Sequence, residues 1–433
     1  FYRGNLLTQT KVYLYNGEGE LAEAALYNGE VSAANEQQRY RYEYDSLGRV
    51  ICSQEIANGA LHQGTETLYD NANRVKKQSW SLFQTEDGKT TTKTYTGRYT
   101  YNTGNGTMST ADFGTGRTAT FAYDNLQRLT SETMAGLYTK SYTYRDISST
   151  RTTTQIASES YTGLCSGWSN RTASYTYDAM GNIATITGPY KNKNSVQRTY
   201  TYDAQNQLLS ETIDGDTTSY TYDTAGNIRS ITGPSISKSF SYNDSGDWKD
   251  LLTSVTVNGT TRSITYEEEN GVTIGNPLSY FNGTQYTLAW QNGRQLASLS
   301  GGGKSATYTY GADGIRTGKT VTDGSGTTTY QYTTQNGQIA RQSWSVNGTA
   351  YQMDFIYDAA GRPLAMYYRT KAAGQADFDG DSYYYETNQQ GDVTGLYKIT
   401  YDAATKALKA TRVASYEYDA WGNVTYSTGT MAK

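Results

Sequence analysis

Histidine is almost missing from this 433-residue chain, since His62 is its only copy. That excludes a histidine-based triad and a zinc cluster built on imidazoles. Cysteine is nearly as scarce. Cys52 and Cys165 stand far apart, too few for a disulfide framework, and read as free or buried thiols. With only 4 prolines, little interrupts a strand. No apolar stretch reaches the ~20 residues of a membrane helix, and no signal peptide opens the sequence. The net charge is -4 and no basic run exists, so nucleic acid is not an expected partner. Helical periodicity is lacking too. Its one candidate, Glu20–Leu26, is too short to stand alone.

What the chain has instead is tyrosine, 43 of them, and 44 glycines. A mean hydropathy of -0.72 would ordinarily point to disorder. Tyrosine reverses that expectation, because its ring buries apolar area while its hydroxyl still finds a partner. Glycine marks turns. The chain therefore reads as all-β, rich in hairpins.

The tyrosines recur in one frame. It comprises Tyr42, Tyr44, Asp45 and Gly48; Tyr175, Tyr177, Asp178 and Gly181; Tyr220, Tyr222, Asp223 and Gly226; and Tyr416, Tyr418, Asp419 and Gly422. Looser copies end at Asp124, Asp203, Asn243 and Asp358. Two tyrosines separated by one small residue project from the same face of a strand. The aspartate suits an Asx-type turn, and the glycine supplies a positive φ. A β-branched return strand follows, as at Ile183–Thr187, with Gly188-Pro189 and Gly233-Pro234 expected to stop it. Each unit is thus a hairpin that needs neighbours to bury its face. A group copied into every unit is expected to be structural, not catalytic.

Three regions follow from spacing: degenerate repeats over 1–145, regular ones over 146–263, and irregular, more specific segments over 264–433. No linker separates them, so one continuous array is expected. Candidate sites are few. Asp377, Asp379 and Asp381 resemble the start of a calcium loop, but the glycine and the bidentate glutamate are misplaced, so no metal and no cofactor is expected. Gly303-Lys304-Ser305 lacks the earlier glycine and following helix of a phosphate loop. Asn16-Gly17 reads as a hairpin turn, not a dinucleotide fingerprint. The Asn-Gly-Thr triplets at Asn105, Asn258, Asn282 and Asn347 likewise read as turns before glycosylation acceptors. With no nucleophile motif, no enzyme is expected.

The frame at Asp45, Asp178, Asp203, Asp223 and Asp419 resembles the YD repeat of the bacterial Rhs family, a repeat shared with animal teneurins. Gly314-Ile-Arg316, Asn388-Gln-Gln-Gly-Asp392-Val and Tyr418-Asp-Ala-Trp-Gly-Asn423 resemble the Rhs repeat-associated core in its Gram-positive form. The resemblance implies a continuous spiralling β-hairpin sheet, forming a hollow shell or part of one. It implies a structural role in a large secreted or surface protein, enclosing or presenting a C-terminal polypeptide of the same parent chain, in many members a toxin. No Asp-Pro dipeptide occurs, so the family's self-cleavage carries over to no residue here. The opening Phe1-Tyr-Arg-Gly-Asn reads as the middle of a longer protein. The alternative reading is an adhesion or carbohydrate-binding module, in which exposed tyrosines bind surface glycans or proteins.

Overall fold

The computed structural model describes residues 2–3, 6–57, 59–86, 89–191, 193–244, 248–311, 313–335 and 337–432. Of the opening pentapeptide, Phe1, Gly4 and Asn5 lie outside them. The chain is nearly all β, and its one helical element among the described residues is a 3-10 turn at Ala33–Asn35. Of the Glu20–Leu26 segment, all but Glu20 belongs to the strand Leu21–Asn28, whose Ala24–Tyr27 are buried. Pairing on both flanks, with Gln9–Tyr15 and Glu36–Tyr44, overrides its local helical composition.

From Gln9–Tyr15 to Thr260–Ser263, every strand pairs antiparallel with the next. No ladder joins the first of these strands to the last among the described residues, so the strip is open. A second sheet of 13 strands runs from Ser279–Phe281 to Val424–Thr428 in the same consecutive order. The hairpin Tyr266–Glu269 with Val272–Pro277 stands between the two sheets. Backbone bonds from Leu278 N–H to Thr265 O (2.7 Å) and from Leu288 N–H to Leu278 O (2.9 Å) carry the chain past it.

Strand alternation separates the two faces. In Arg171–Tyr177, Ala173 and Tyr175 are buried while Thr172, Ser174 and Thr176 are exposed. The outer face is laced by hydroxyl pairs such as Thr176 with Thr185 (2.7 Å) and Thr221 with Ser230 (2.6 Å). Such cross-strand pairs suit β-branched residues on an exposed pleat. Turn chemistry differs in places from expectation. Gly188-Pro189 lies inside the strand Ile183–Tyr190, at a register shift between Gly188 and Tyr190 where proline's missing N–H is tolerated. Asn258-Gly259 and Asn347-Gly348 form two-residue turns with positive φ at both positions. Asn105 and Asn282 sit in longer loops, and Asn16 opens a turn that Glu20 closes.

The inner faces of the two sheets meet. One buried cluster contains Trp80, Tyr95, Met134, Tyr138 and Trp168 from the first sheet region and Ile356, Tyr384, Tyr397 and Ala410 from the second. Trp168 stacks on Tyr397 with centroids 4.1 Å apart. Gly167, at φ +81°, lets its segment pass close to Ala410; a Cβ there would lie 2.0 Å from the Ala410 carbonyl oxygen.

Candidate functional site

The repeat turn is built by its aspartate. The Leu47 and Arg49 amides both donate to Asp45 Oδ1, at 2.9 and 3.1 Å. The Arg49 guanidinium donates to Asp45 Oδ2 at 2.7 Å. Asp178 is held likewise by the Met180 and Asn182 amides and the Asn182 side chain. Asp223 receives the Ala225 and Asn227 amides, and Asp419 those of Trp421 and Asn423. One carboxylate thus satisfies two turn amides that the ladder cannot reach. It also explains why arginine or asparagine stands four residues on. The arginine hydrogen bond holds the Asp45 carboxyl below its usual range, and the Asn182 side chain does the same for Asp178. The fourth turn position needs a left-handed backbone. Gly181 and Gly226 adopt φ +92° and +91°, while Asn73, Gln127 and Asn206 adopt the same region at equivalent places.

The tyrosine at the end of most frames reaches backward. Its hydroxyl donates to the carbonyl at the start of a return strand in an earlier hairpin: Tyr44 to Leu21 (2.8 Å), Tyr69 to Val50 (3.0 Å), Tyr202 to Ile183 (3.0 Å) and Tyr222 to Leu208 (2.8 Å). Tyr242 to Ile228, Tyr266 to Leu252, Tyr310 to Leu296 and Tyr418 to Val393 continue the series. The accepting residue sits at a register shift, as where Tyr202 pairs with Leu208. A bulge disrupts the ladder locally, and the hydroxyl supplies a partner there. Arg49, Arg74 and Arg128 then lie over the rings of Tyr69, Tyr101 and Tyr144, 4.2–4.5 Å from the centroids. Frames such as that of Asp45 therefore lock their own turn and clasp a neighbouring hairpin.

The frame copies are strung along the strip, but three of them line one inter-sheet cavity of about 730 Å³, through Tyr175, Tyr222, Gly226, Tyr418, Asp419 and Gly422. Adjacent turns do touch: Asn182 Nδ2 donates to Asn206 Oδ1 at 2.8 Å. The first tyrosines face inward. Tyr175 and Tyr220 are buried, Tyr42 and Tyr416 half-buried, and the Tyr175 hydroxyl donates to Glu159 Oε1 at 2.9 Å. The three candidate calcium ligands do not converge. Asp381 pairs with Lys398 Nζ at 2.6 Å, and no group of three His, Cys, Asp or Glu is placed to hold a metal among the described residues. Gly303-Lys304 turns directly into the strand Lys304–Tyr310. Cys52 and Cys165 are free, half-buried thiols.

A second group of polar residues, not singled out by sequence, joins the two sheets. Glu386 is fully buried between Arg171 (2.6 Å) and Arg412 (3.3 Å), and accepts from Thr394 Oγ1 at 3.0 Å. Burial alone would raise its pKa; the two guanidiniums outweigh that and leave it lowered. Asp354, also fully buried, accepts from Arg341 Nε (2.6 Å), from Arg369 and from the Tyr95 hydroxyl (2.7 Å). Lys140 Nζ lies 3.4 Å from Glu159 and donates to the Thr387 carbonyl at 3.0 Å. The available signal was a charge set within an aromatic strand, as in Tyr383-Tyr-Tyr-Glu386-Thr. By contrast, Glu55 and Glu211 make no ion pair, and burial pushes each up to about 7, the attraction of Arg198 for Glu211 notwithstanding.

Comparison with known proteins places this geometry. Residues 202–235 match the RHS Repeat family model. No curated protein sequence matches the chain. Its fold is similar to a chain in the Photorhabdus luminescens Tc holotoxin pore, with a TM-score of 0.54 at 15% identity. That alignment covers 97% of this chain and 23% of the other. A chain in the crystal structure of TcdB2-TccC3-TEV gives a TM-score of 0.53 at 15% identity, with 97% and 24% covered. The chain therefore spans about a quarter of the length of either. The matched repeat and the same frame from Asp45 to Asp419 show a chain built from RHS, or YD, repeats, in a β fold similar to that of the two toxin-complex chains.

Proposed function

We propose that this chain is a wall segment of an RHS shell, and that its work is mechanical. The wall encloses or presents a polypeptide of the same parent chain, in a secreted or surface-exposed bacterial protein. The observation that carries this reading is the series of tyrosine hydroxyls clasping hairpin to hairpin, from Tyr44 on Leu21 to Tyr418 on Val393. Such a series stiffens a sheet along its length and places no reactive group at any one copy. The similar chains in the toxin-complex structures extend about four times further, which fits a segment of a larger enclosure. The spaces between the two sheets support the same reading. They measure about 730 and 600 Å³ and are lined mainly by tyrosines, amides and charged groups, with aliphatics such as Ile183, Ile186 and Leu208 among them.

The test is protease protection of the parent chain. A C-terminal polypeptide held by the wall survives a protease dose that destroys the same polypeptide expressed alone. Equal digestion of both contradicts enclosure.

A further inference from the structure

The geometry points to a binding site for a neutral saccharide in the inter-sheet cavity of about 730 Å³, a volume within the ordinary range of small-ligand pockets. The first sheet lines it from the strands Arg171–Tyr177 to Asp216–Tyr222, and the second from the turns at 388–392 and 419–422. The charges of the lining are of both signs and engaged with one another or with the backbone. Arg171 pairs with Glu386 at 2.6 Å. Arg198 attracts Glu211 and Glu417 and lies over the Tyr190 ring, 5.8 Å from its centroid. Glu417 accepts from the Lys191 amide at 3.1 Å, Asp392 from Asn388 Nδ2 at 2.8 Å, and Asp419 from the Trp421 amide at 2.9 Å. A ligand of either charge therefore meets like charge as well as unlike, and gives up its hydration without gaining an unclaimed counter-ion.

The groups left unclaimed select a neutral partner. The Tyr200 hydroxyl and the side-chain amides of Gln207 and Gln390 line the cavity and make no hydrogen bond among the described residues. Arg198 Nε is a buried N–H without an acceptor. A hydroxyl and a primary amide each donate and accept, so the hydroxyls of a sugar can satisfy all of them without bringing in charge. The rings of Tyr200 and Trp421 suit the C–H faces of a pyranose, and Trp421 stands at the rim, 49% exposed. Ile183, Ile186 and Leu208 add an apolar patch that suits the methyl of an acetamido group. A peptide fits less well, because the lining strands of the first sheet are paired on both sides and offer no free edge for strand addition.

Calorimetric titration of the purified chain with N,N′-diacetylchitobiose tests the assignment. The deacetylated dimer, which is cationic, and digalacturonate, which is anionic, serve as comparison probes. Diacetylchitobiose is expected to bind at least about tenfold more tightly than either. Tyr200→Phe keeps the ring and removes the hydroxyl, and should weaken the binding about three- to tenfold with the circular dichroism unchanged. Trp421→Ala, at the exposed rim, should weaken it by a similar factor. Absence of diacetylchitobiose binding to the unaltered chain overturns the proposal. So does equal or tighter binding of either charged dimer, or undiminished affinity in the folded Tyr200→Phe and Trp421→Ala proteins.

Discussion

The Tyr222 hydroxyl donates to the Leu208 carbonyl at 2.8 Å, and Leu208 is itself the residue paired with Tyr202 at the bulge of the preceding hairpin. Tyr242 repeats the step on Ile228, the partner of Tyr222. The tyrosine is needed for the length of its reach and for its hydroxyl. Tyr222→Phe keeps the ring and leaves the carbonyl without this donor, so it should destabilise by about 1 kcal/mol. The triple change of Tyr202, Tyr222 and Tyr242 to Phe should cost about 3 kcal/mol if the rungs act independently. Urea unfolding curves give both numbers.

The left-handed turn position separates residue types. Gly226→Ala, at φ +91°, should cost about 1–2 kcal/mol. Gln127 occupies the same region at φ +62° with a full side chain. Gln127→Gly should therefore stabilise the protein by about 0.5–1 kcal/mol, net of glycine's entropic cost. Thermal unfolding of the two variants should move in opposite directions.

Glu386 ties the two sheets together through Arg171 and Arg412. Glu386→Ala leaves two guanidiniums without their shared anion and should destabilise by about 3–5 kcal/mol. Limited proteolysis should then cut between the sheets first, in the segment from Tyr266 to Pro277.

Stability should depend on pH in two opposed ways. The Asp45 and Asp70 carboxyls are held low by the hydrogen bonds from Arg49 and Arg74, and Asp178 by that from Asn182. Their contribution is present above the unfolded carboxylate value and is lost as pH falls through their lowered values. Glu55 and Glu211, raised by burial to about 7, act in the other sense. They favour the fold while protonated, and that contribution drains as pH rises from the usual 4.5 towards 7. The melting temperature should peak at about pH 4–5 and fall on both sides. A Glu55→Gln, Glu211→Gln double variant should flatten the neutral side and leave the acid side unchanged.

The all-β class and the individual hairpins were legible in the sequence because they are local. Tyr-x-Tyr sets one face, and aspartate and a left-handed residue make the turn within five positions. The clasp between hairpins was not legible. The acceptor of Tyr222 lies 14 residues back and is a backbone carbonyl, which carries no signature in the sequence. Still less accessible were Asp354 with Tyr95 and Glu386 with Arg171, partners separated by 259 and 215 residues. Only the folded strip brings them face to face. Gly188-Pro189 was misleading for a related reason: a local stop signal was absorbed at a register shift inside a strand that neighbours hold on both sides.

The central claim is that one chain of clasped hairpins forms a two-layered wall. Electron cryomicroscopy of the purified chain tests it most directly. The account predicts two apposed β-sheets in one particle, with density joining Trp168 to Tyr397 and the strand order following the sequence. Separate globular domains, or a single flat sheet with Trp168 and Tyr397 apart, would contradict it.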